Sequence, residues 1–167
     1  MDTKKSIYIE TSIPSFMAAR TSSNVVIAGK QAVTHEFWES ERQNYNLYVS
    51  VFVHEECSKG DPNVSKKRLD YLKDITILAN TPDIEPLADV YMHLLSIPQR
   101  SRVDALHLAM CCVHSIDILL SWNCTHLVNI ENMLRIQKQN DACGLFTPRM
   151  ITPDFIVDNY MEVEINE

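Results

Sequence analysis

Short apolar segments alternate with helix-forming segments along this chain, and the alternation limits the folds open to it. Strands that are separated by helices need crossover connections, which produce a parallel sheet covered by helices on both faces. The sequence therefore predicts an α/β fold, a three-layer α/β/α domain with a mainly parallel central sheet of four to five strands. The predicted strands cover residues 6–10, 46–50, 75–79 and 117–121, with a fifth candidate at residues 145–147.

Helical periodicity fills the intervals between these segments. Residues 83–95 give the clearest pattern, because their apolar side chains recur three and four positions apart. Residues 101–114 are apolar nearly all round, so we expect this helix to lie at the centre of the domain. A first helix would be capped by Ser12. The other predicted helices cover residues 24–43, 51–58, 65–73, 129–139 and 152–161. One face of the helix at 24–43 would carry Val26, Val33 and Phe37, and the inward face of the helix at 129–139 would carry Ile130, Met133 and Leu134.

The length of 167 residues fits one domain with a substantial core, so we expect residues 1–167 to form a single unit. No apolar run approaches the roughly 20 residues that a membrane span needs. The first five residues lack the apolar core of a signal peptide. We therefore expect a cytoplasmic protein that has no membrane partner.

The composition excludes several classes of protein. A net charge of −7 argues against a general nucleic-acid coat protein, which would be basic, although it leaves a nuclease open. Only 3 glycines occur, and no glycine-rich loop exists to hold a nucleotide in the P-loop or Rossmann manner. The 5 cysteines include no CxxC pair, which favours reduced thiols over a disulfide framework or a zinc ribbon.

Acidic residues occupy positions that a parallel sheet would bring to one edge. Glu10 ends the first strand, Glu56 lies just past the second, and Asp104 opens the apolar helix; Asn123 follows the fourth strand. Ligands of open parallel sheets bind at the carboxyl ends of the strands. Clustered carboxylates need a cation, because like charges oppose one another's ionisation, and oxygen ligands suit Mg²⁺ or Mn²⁺. The pattern indicates a metal-dependent phosphoester hydrolase, whereas each acid taken alone fits a helix cap.

Four local motifs surround these polar residues. They are Tyr8-Ile9-Glu10-Thr11-Ser12, Ser50 to Glu56 followed by Lys59-Gly60-Asp61, Asp104-Ala105-Leu106-His107-Leu108-Ala109, and Ser121-Trp122-Asn123-Cys124-Thr125-His126-Leu127. These motifs resemble, in the same order, those of the PIN-domain ribonucleases, the family that includes the VapC-type toxins. The resemblance covers about residues 6–151.

This chain departs from the family's usual pattern at two acidic positions. The first acid of the family is usually Asp, and here it is Glu10, whose side chain is longer by one methylene group. The fourth is also usually Asp, and here Asn123 brings a carbonyl oxygen without a charge. Both changes resemble a branch of the family, in which metal geometry would be altered.

The resemblance implies an endoribonuclease that uses Mg²⁺ or Mn²⁺ to hydrolyse RNA phosphodiesters. It also implies a homodimer that acts as the toxin of a type II toxin–antitoxin pair, with an antitoxin protein as partner. By resemblance, the metal ligands would be Glu10, Glu56 and Asp104. Asn123 would support a water or a second ion, and the hydroxyls of Thr11 and Ser121 would orient the carboxylates.

Several alternatives stay open at this point. Glu55 is the substitute for Glu56, because only one of two adjacent helical residues can face the pocket. A catalytically weakened PIN-like module that binds RNA or protein is the main alternative function, and a hydrolase of small phosphoesters is another. His126 would lie near the pocket rim, where it could bind phosphate, assist proton transfer or only pack. We expect His107 to be hydrogen-bonded beneath the site rather than bound to zinc.

Overall fold

A five-stranded parallel sheet forms the centre of the computed structural model, which describes residues 4–157. The strand order is β3-β2-β1-β4-β5, and the register places Ile7 beside both Leu47 and Ile118. The predicted α/β architecture with a parallel sheet is therefore confirmed. The strands are β1 (Ser6–Ile9), β2 (Asn46–Val49), β3 (Thr76–Ile77), β4 (Ile118–Leu120) and β5 (Arg149–Ile151).

Eight helices connect and follow these strands within the described part of the chain. Helix α1 packs against α2 and α4, and α2 packs against α8, whereas α5 packs against α6 and α7. These two groups form the outer layers of the fold. The helices are α1 (Ser12–Ala18), α2 (Val25–Glu36), α3 (Val51–Cys57), α4 (Pro62–Leu72), α5 (Ile84–Leu95), α6 (Arg102–Val113), α7 (Ile130–Cys143) and α8 (Pro153–Val157).

Helix α6 is buried over most of its length, as its apolar sequence predicts. All residues from Asp104 to Cys112 lie in the interior, including the imidazole of His107. Strand β1 is equally enclosed, because Ile7, Tyr8 and Ile9 expose no surface. Polar groups on these two elements therefore need partners inside the protein. None of the helices described is both long enough and apolar enough to cross a membrane.

The helix predicted at residues 24–43 is shorter than expected. Helix α2 ends at Glu36, and a π-helical turn (Phe37–Glu41) and a 3-10 turn (Arg42–Asn44) lead into β2. Of the three residues predicted to share one face, Phe37 is buried and Val33 packs against the core, whereas 69% of the Val26 surface is exposed. Periodicity shows which residues share a helix face, but it does not show how far the first turn extends beyond the core.

The inward face predicted for α7 is also wrong at two positions. Ile130 and Leu134 are both exposed, and the buried residues of α7 are Ile136 and Asn140. The Asn140 side chain accepts a hydrogen bond of 2.6 Å from the Tyr91 hydroxyl. A buried, hydrogen-bonded amide thus sets the orientation of this helix, and a pattern of apolar residues does not reveal it.

The fifth strand lies later in the sequence than residues 145–147. Gly144 ends α7 in the left-handed conformation with φ of 68°, and the next residues form a loop. Asn140 Nδ2 donates to the Phe146 carbonyl and to Thr147 Oγ1, which keeps this loop out of the sheet. Pairing with β4 begins at Arg149.

The chain after β5 turns into the short helix α8 (Pro153–Val157). The terminal helix was predicted over residues 152–161. Residues 158–161 of that prediction lie outside the described residues.

Candidate active site

Three of the predicted site residues follow neighbouring strands. Strands β2, β1 and β4 lie side by side and run parallel. Glu10 comes directly after β1, Glu56 lies on α3 just after β2, and Asn123 follows β4. Asp104 lies in the first turn of α6, which packs against both α3 and β4. The topology therefore brings all four residues towards the carboxyl edge of the sheet.

The Glu10 carboxylate is held by hydroxyl and amide donors on one of its two oxygens. Glu10 Oε2 accepts hydrogen bonds from Ser12 Oγ at 2.5 Å, from the Ser12 backbone N–H at 3.1 Å and from Ser121 Oγ at 2.7 Å. Only 6% of the residue is exposed. Ser121 was predicted to orient a carboxylate, and it contacts Glu10. Ser12, predicted as the cap of α1, uses its side chain on Glu10 instead, and Thr11 occupies the cap position.

The Glu56 carboxylate is also held through one oxygen. Oε2 accepts a hydrogen bond of 2.5 Å from Thr11 Oγ1 and lies 2.8 Å from His107 Nε2. Burial opposes the ionisation of Glu56, yet donation by His107 and Thr11 and the charges of His107 and Lys59 keep its pKa below the ordinary value. Glu55, the neighbouring residue, is exposed.

A chain of buried hydrogen bonds continues from His107 into the core. His107 Nδ1 lies 2.7 Å from the Tyr8 hydroxyl, which lies 2.6 Å from Ser50 Oγ. Burial alone would lower the pKa of His107, but its bond to Glu56 and the surrounding carboxylate charges raise it instead. His107 is thus hydrogen-bonded beneath the site, as expected.

Glu10, Glu56 and His107 converge closely enough to share an ion. Each offers one ligand atom, and these atoms all lie within 4.8 Å of one another. Carboxylate oxygens and imidazole nitrogen together suit a divalent metal. His107 was not predicted in this group; its position three residues after Asp104, on the same face of α6, is the sequence signal that points to it. Asp104 is not part of the group.

Asp104 and Asn123 both contact His126. Asp104 Oδ2 lies 2.6 Å from His126 Nδ1, and Asn123 Oδ1 accepts a hydrogen bond of 3.1 Å from the His126 backbone N–H. Asn123 N–H donates in turn to Ser121 Oγ at 2.9 Å. Because Ser121 also donates to Glu10, this network connects His126 to the first acid of the site.

All three candidate metal-binding carboxylates share one feature. Each is held through a single oxygen, Oε2 of Glu10, Oε2 of Glu56 and Oδ2 of Asp104. Among residues 4–157, no donor forms a hydrogen bond with the second oxygen of any of them. The protein therefore fixes the direction of each carboxylate and leaves one oxygen available to a ligand.

Comparison with known proteins supports the fold. No protein-family model matches this chain, and no curated protein matches it. Among solved structures, it is similar to VapC20 of Mycobacterium tuberculosis, a toxin that cleaves the sarcin-ricin loop. The TM-score is 0.55 at 14% sequence identity, and the match covers 72% of this chain and 92% of that chain. The chain therefore has the α/β fold seen in a VapC-type PIN-domain toxin.

Proposed function

We propose that this protein is a metal-dependent endoribonuclease that hydrolyses RNA phosphodiesters. The observation that carries the proposal is the convergence of ligand atoms from Glu10, Glu56 and His107 within 4.8 Å. It occurs at the carboxyl edge of a parallel sheet, where such folds bind ligands. The similarity in fold to VapC20, a toxin that cleaves the sarcin-ricin loop, favours RNA as the substrate class.

The donor set fits a divalent cation such as Mg²⁺ or Mn²⁺. Glu10 and Glu56, the two carboxylates of the converging group, would hold it through the oxygens that the protein leaves unbonded. Asp104 lies outside that group and is proposed as a third ligand from the resemblance. His107 would keep Glu56 in place, because its ring nitrogens already contact Glu56 and Tyr8. The bound ion would supply an activated water near neutral pH and positive charge beside the phosphate. The oxygens of three carboxylates would otherwise repel a phosphodiester, so a bound cation would strengthen RNA binding at this site.

The surrounding side chains would position these groups. Thr11 donates to Glu56 and Ser121 donates to Glu10, so each hydroxyl fixes one carboxylate. Asn123 would hold the His126 loop through its side-chain oxygen, and its side-chain NH₂ group would remain to donate to a bound water. These contacts would keep the site in one geometry as the substrate binds.

The experiment is cleavage of a mixed single-stranded RNA panel in Mn²⁺, Mg²⁺ or EDTA. Glu10→Gln, Glu56→Gln and Asp104→Asn are expected to lose about 100-fold or more of the metal-dependent activity. Glu55→Gln is the matched control, because the exposed Glu55 neighbours Glu56 in the sequence. Calorimetric titration with Mn²⁺ measures ion binding separately. Cleavage that survives in EDTA, or equal loss in Glu55→Gln, would refute the proposal.

A binding module is the second candidate, and one observation favours it. The side-chain oxygen of Asn123 is already used by the His126 backbone, and Glu56 is already paired with His107. The Asn123 oxygen and one oxygen of Glu56 therefore have partners within the protein, without an ion. This alternative predicts RNA binding that EDTA leaves unchanged, with no cleavage by well-folded protein in any metal.

The biological setting is proposed from the resemblance and the VapC20 fold together. The protein would act in the cytoplasm as a homodimer and as the toxin of a toxin–antitoxin pair, with an antitoxin as partner. Induced expression in a bacterial host should arrest growth, whereas Asp104→Asn should not. Light scattering after gel filtration measures the oligomeric state, and a monomeric mass would refute the dimer.

A further inference from the structure

His126 is fixed more firmly than a loop residue normally is. It lies between β4 and α7, outside regular secondary structure. Its ring is held by Asp104 at 2.6 Å, and its backbone N–H donates to Asn123 Oδ1 at 3.1 Å. Its carbonyl accepts a further bond of 3.0 Å from Asn132 Nδ2. Side chain and backbone are both oriented, which is typical of a residue that must present one particular atom.

The atom presented is Nε2. In the described part of the chain no hydrogen bond reaches it, and 21% of the His126 side chain is exposed. Asp104, which holds the opposite ring nitrogen, is more enclosed, with 13% of its side chain exposed. The ring therefore turns Nδ1 towards the protein and leaves Nε2 open to a ligand.

The partner of Nδ1 determines what Nε2 can do. An ionised carboxylate accepts hydrogen bonds and cannot donate them, so when the imidazole is neutral and faces an ionised Asp104 its hydrogen lies on Nδ1. Nε2 of that tautomer carries a lone pair and acts as an acceptor. A ligand that uses this nitrogen must offer a donor.

The position of His126 narrows the choice of donor. Asn123 and Ser121 join it to the carboxylate of Glu10 through consecutive hydrogen bonds of 3.1, 2.9 and 2.7 Å. It therefore belongs to the hydrogen-bond network of the carboxylates that a scissile phosphodiester would approach. The oxygens of a phosphodiester accept only, whereas the ribose 2′-hydroxyl beside it can donate, and DNA lacks that group.

We propose that His126 Nε2 accepts a hydrogen bond from the ribose 2′-hydroxyl next to the scissile phosphate, and that this contact makes the site prefer RNA over DNA. The proposal rests on the proposed ribonuclease function and deepens it. Asp104 is then the positioning residue that fixes the tautomer of His126, in addition to any contact of its free oxygen with an ion.

The test uses two oligonucleotides that differ by one 2′-deoxy substitution at the cleavage site. The wild type should cleave the all-ribose strand about 10-fold faster, which is the value of one neutral hydrogen bond. In His126→Ala the two strands should be cleaved at similar rates, because the substitution and the deoxy sugar remove the same contact. His126→Gln, whose carbonyl oxygen can reach a similar position, should recover part of the difference. The exposed His93 on α5 provides the control variant His93→Ala, which should discriminate as the wild type does.

A binding measurement separates this proposal from the nuclease function. Fluorescence anisotropy in EDTA compares RNA and DNA oligonucleotides of one sequence, so it needs no cleavage. A preference for RNA that His126→Ala and Asp104→Leu both lose would support the proposal, even if the wild type cleaves nothing, because Asp104→Leu removes the acceptor that holds Nδ1. A preference unchanged in His126→Ala would overturn it. The proposal would also be overturned if His126→Ala slowed cleavage of both strands equally and left the ratio of the two rates unchanged. That result would point to proton transfer by His126 instead. Thermal melts show that each variant is folded.

Discussion

Glu56 Oε2 lies 2.8 Å from His107 Nε2, and this contact couples the surface of the site to the centre of the protein. His107 exposes no surface and continues to Tyr8 and Ser50. An imidazole in this place serves both partners at once, because one ring nitrogen meets the carboxylate and the other meets a hydroxyl. The stability of the domain and the geometry of the candidate site therefore depend on one side chain.

Replacing His107 should destabilise the domain strongly. His107→Leu removes both ring nitrogens, so the Glu56 carboxylate and the Tyr8 hydroxyl each lose one hydrogen-bond partner. We expect the free energy of unfolding to fall by about 3 kcal/mol. His107→Gln keeps one polar group and should cost less. Urea denaturation measures the free energy of unfolding, with the exposed His93→Leu as control. A His107→Leu protein as stable as the wild type would contradict the importance of this network.

The hydrogen bonds between Asp117 and Ser6 should make the stability of the domain depend on pH. Asp117 Oδ2 accepts bonds of 2.8 Å from both the backbone N–H and the hydroxyl of Ser6, and these donors hold its pKa below 3.8. A depressed pKa contributes stability that is present above the unfolded value and is lost as the pH falls through the folded value. Asp117→Asn should therefore be less stable by about 1 kcal/mol near pH 7. The difference should shrink below about pH 4, as urea titrations across pH would show; a constant difference would contradict this account.

The side-chain oxygen of Asn123 should matter more than its lack of charge. Asn123→Asp keeps an acceptor for the His126 N–H, so the loop should persist and RNA cleavage should be retained. Asn123→Ala removes the acceptor, and we expect a loss of about 1 kcal/mol in stability together with weaker cleavage. Thermal unfolding and cleavage rates of both variants check this. Equal behaviour of the two variants would argue against a role for the acceptor.

Asn140 should be essential for the packing of α7. It is fully buried, accepts from the Tyr91 hydroxyl and donates to the Phe146 carbonyl. Asn140→Leu keeps the size of the side chain but leaves both groups unpaired, at a cost of about 2 to 3 kcal/mol. Lys138→Leu, an exposed change on the same helix, should stay within about 0.5 kcal/mol of the wild type. Differential scanning calorimetry compares the two variants, and similar melting temperatures would refute the assignment.

The sheet and the order of its strands explain why much of the site could be predicted. Alternating strand and helix signals require parallel pairing, and parallel pairing brings the ends of β1, β2 and β4 to one edge. That geometry predicts that Glu10, Glu56 and Asn123 lie at one edge, whereas the choice of Glu56 over Glu55 came from the family resemblance. The two hydroxyl residues that hold the carboxylates, Thr11 and Ser121, could be predicted as well, because they follow strands β1 and β4.

The pairing of individual polar groups was not predictable in the same way. Sequence placed Asp104 with the other acids, but whether its carboxylate meets an ion, His126 or both depends on distances set by the packing of α6. Asn140 is a second example, because a sequence pattern assigns a polar helix residue to the surface and does not reveal a buried hydrogen-bond partner such as Tyr91. Periodicity describes the polarity of a whole helix face, whereas each hydrogen bond depends on the positions of one donor atom and one acceptor atom.

The single held oxygen of each site carboxylate has a thermodynamic consequence. A carboxylate that rotates freely loses conformational freedom when it ligates an ion. The site carboxylates have already lost that freedom when the protein folds, because each is held by hydrogen bonds to one oxygen. Thr11→Val or Ser121→Ala would leave the number of ligands unchanged. Such variants should bind the ion with a less favourable entropy, so the hydroxyls would act on affinity through order rather than through contact.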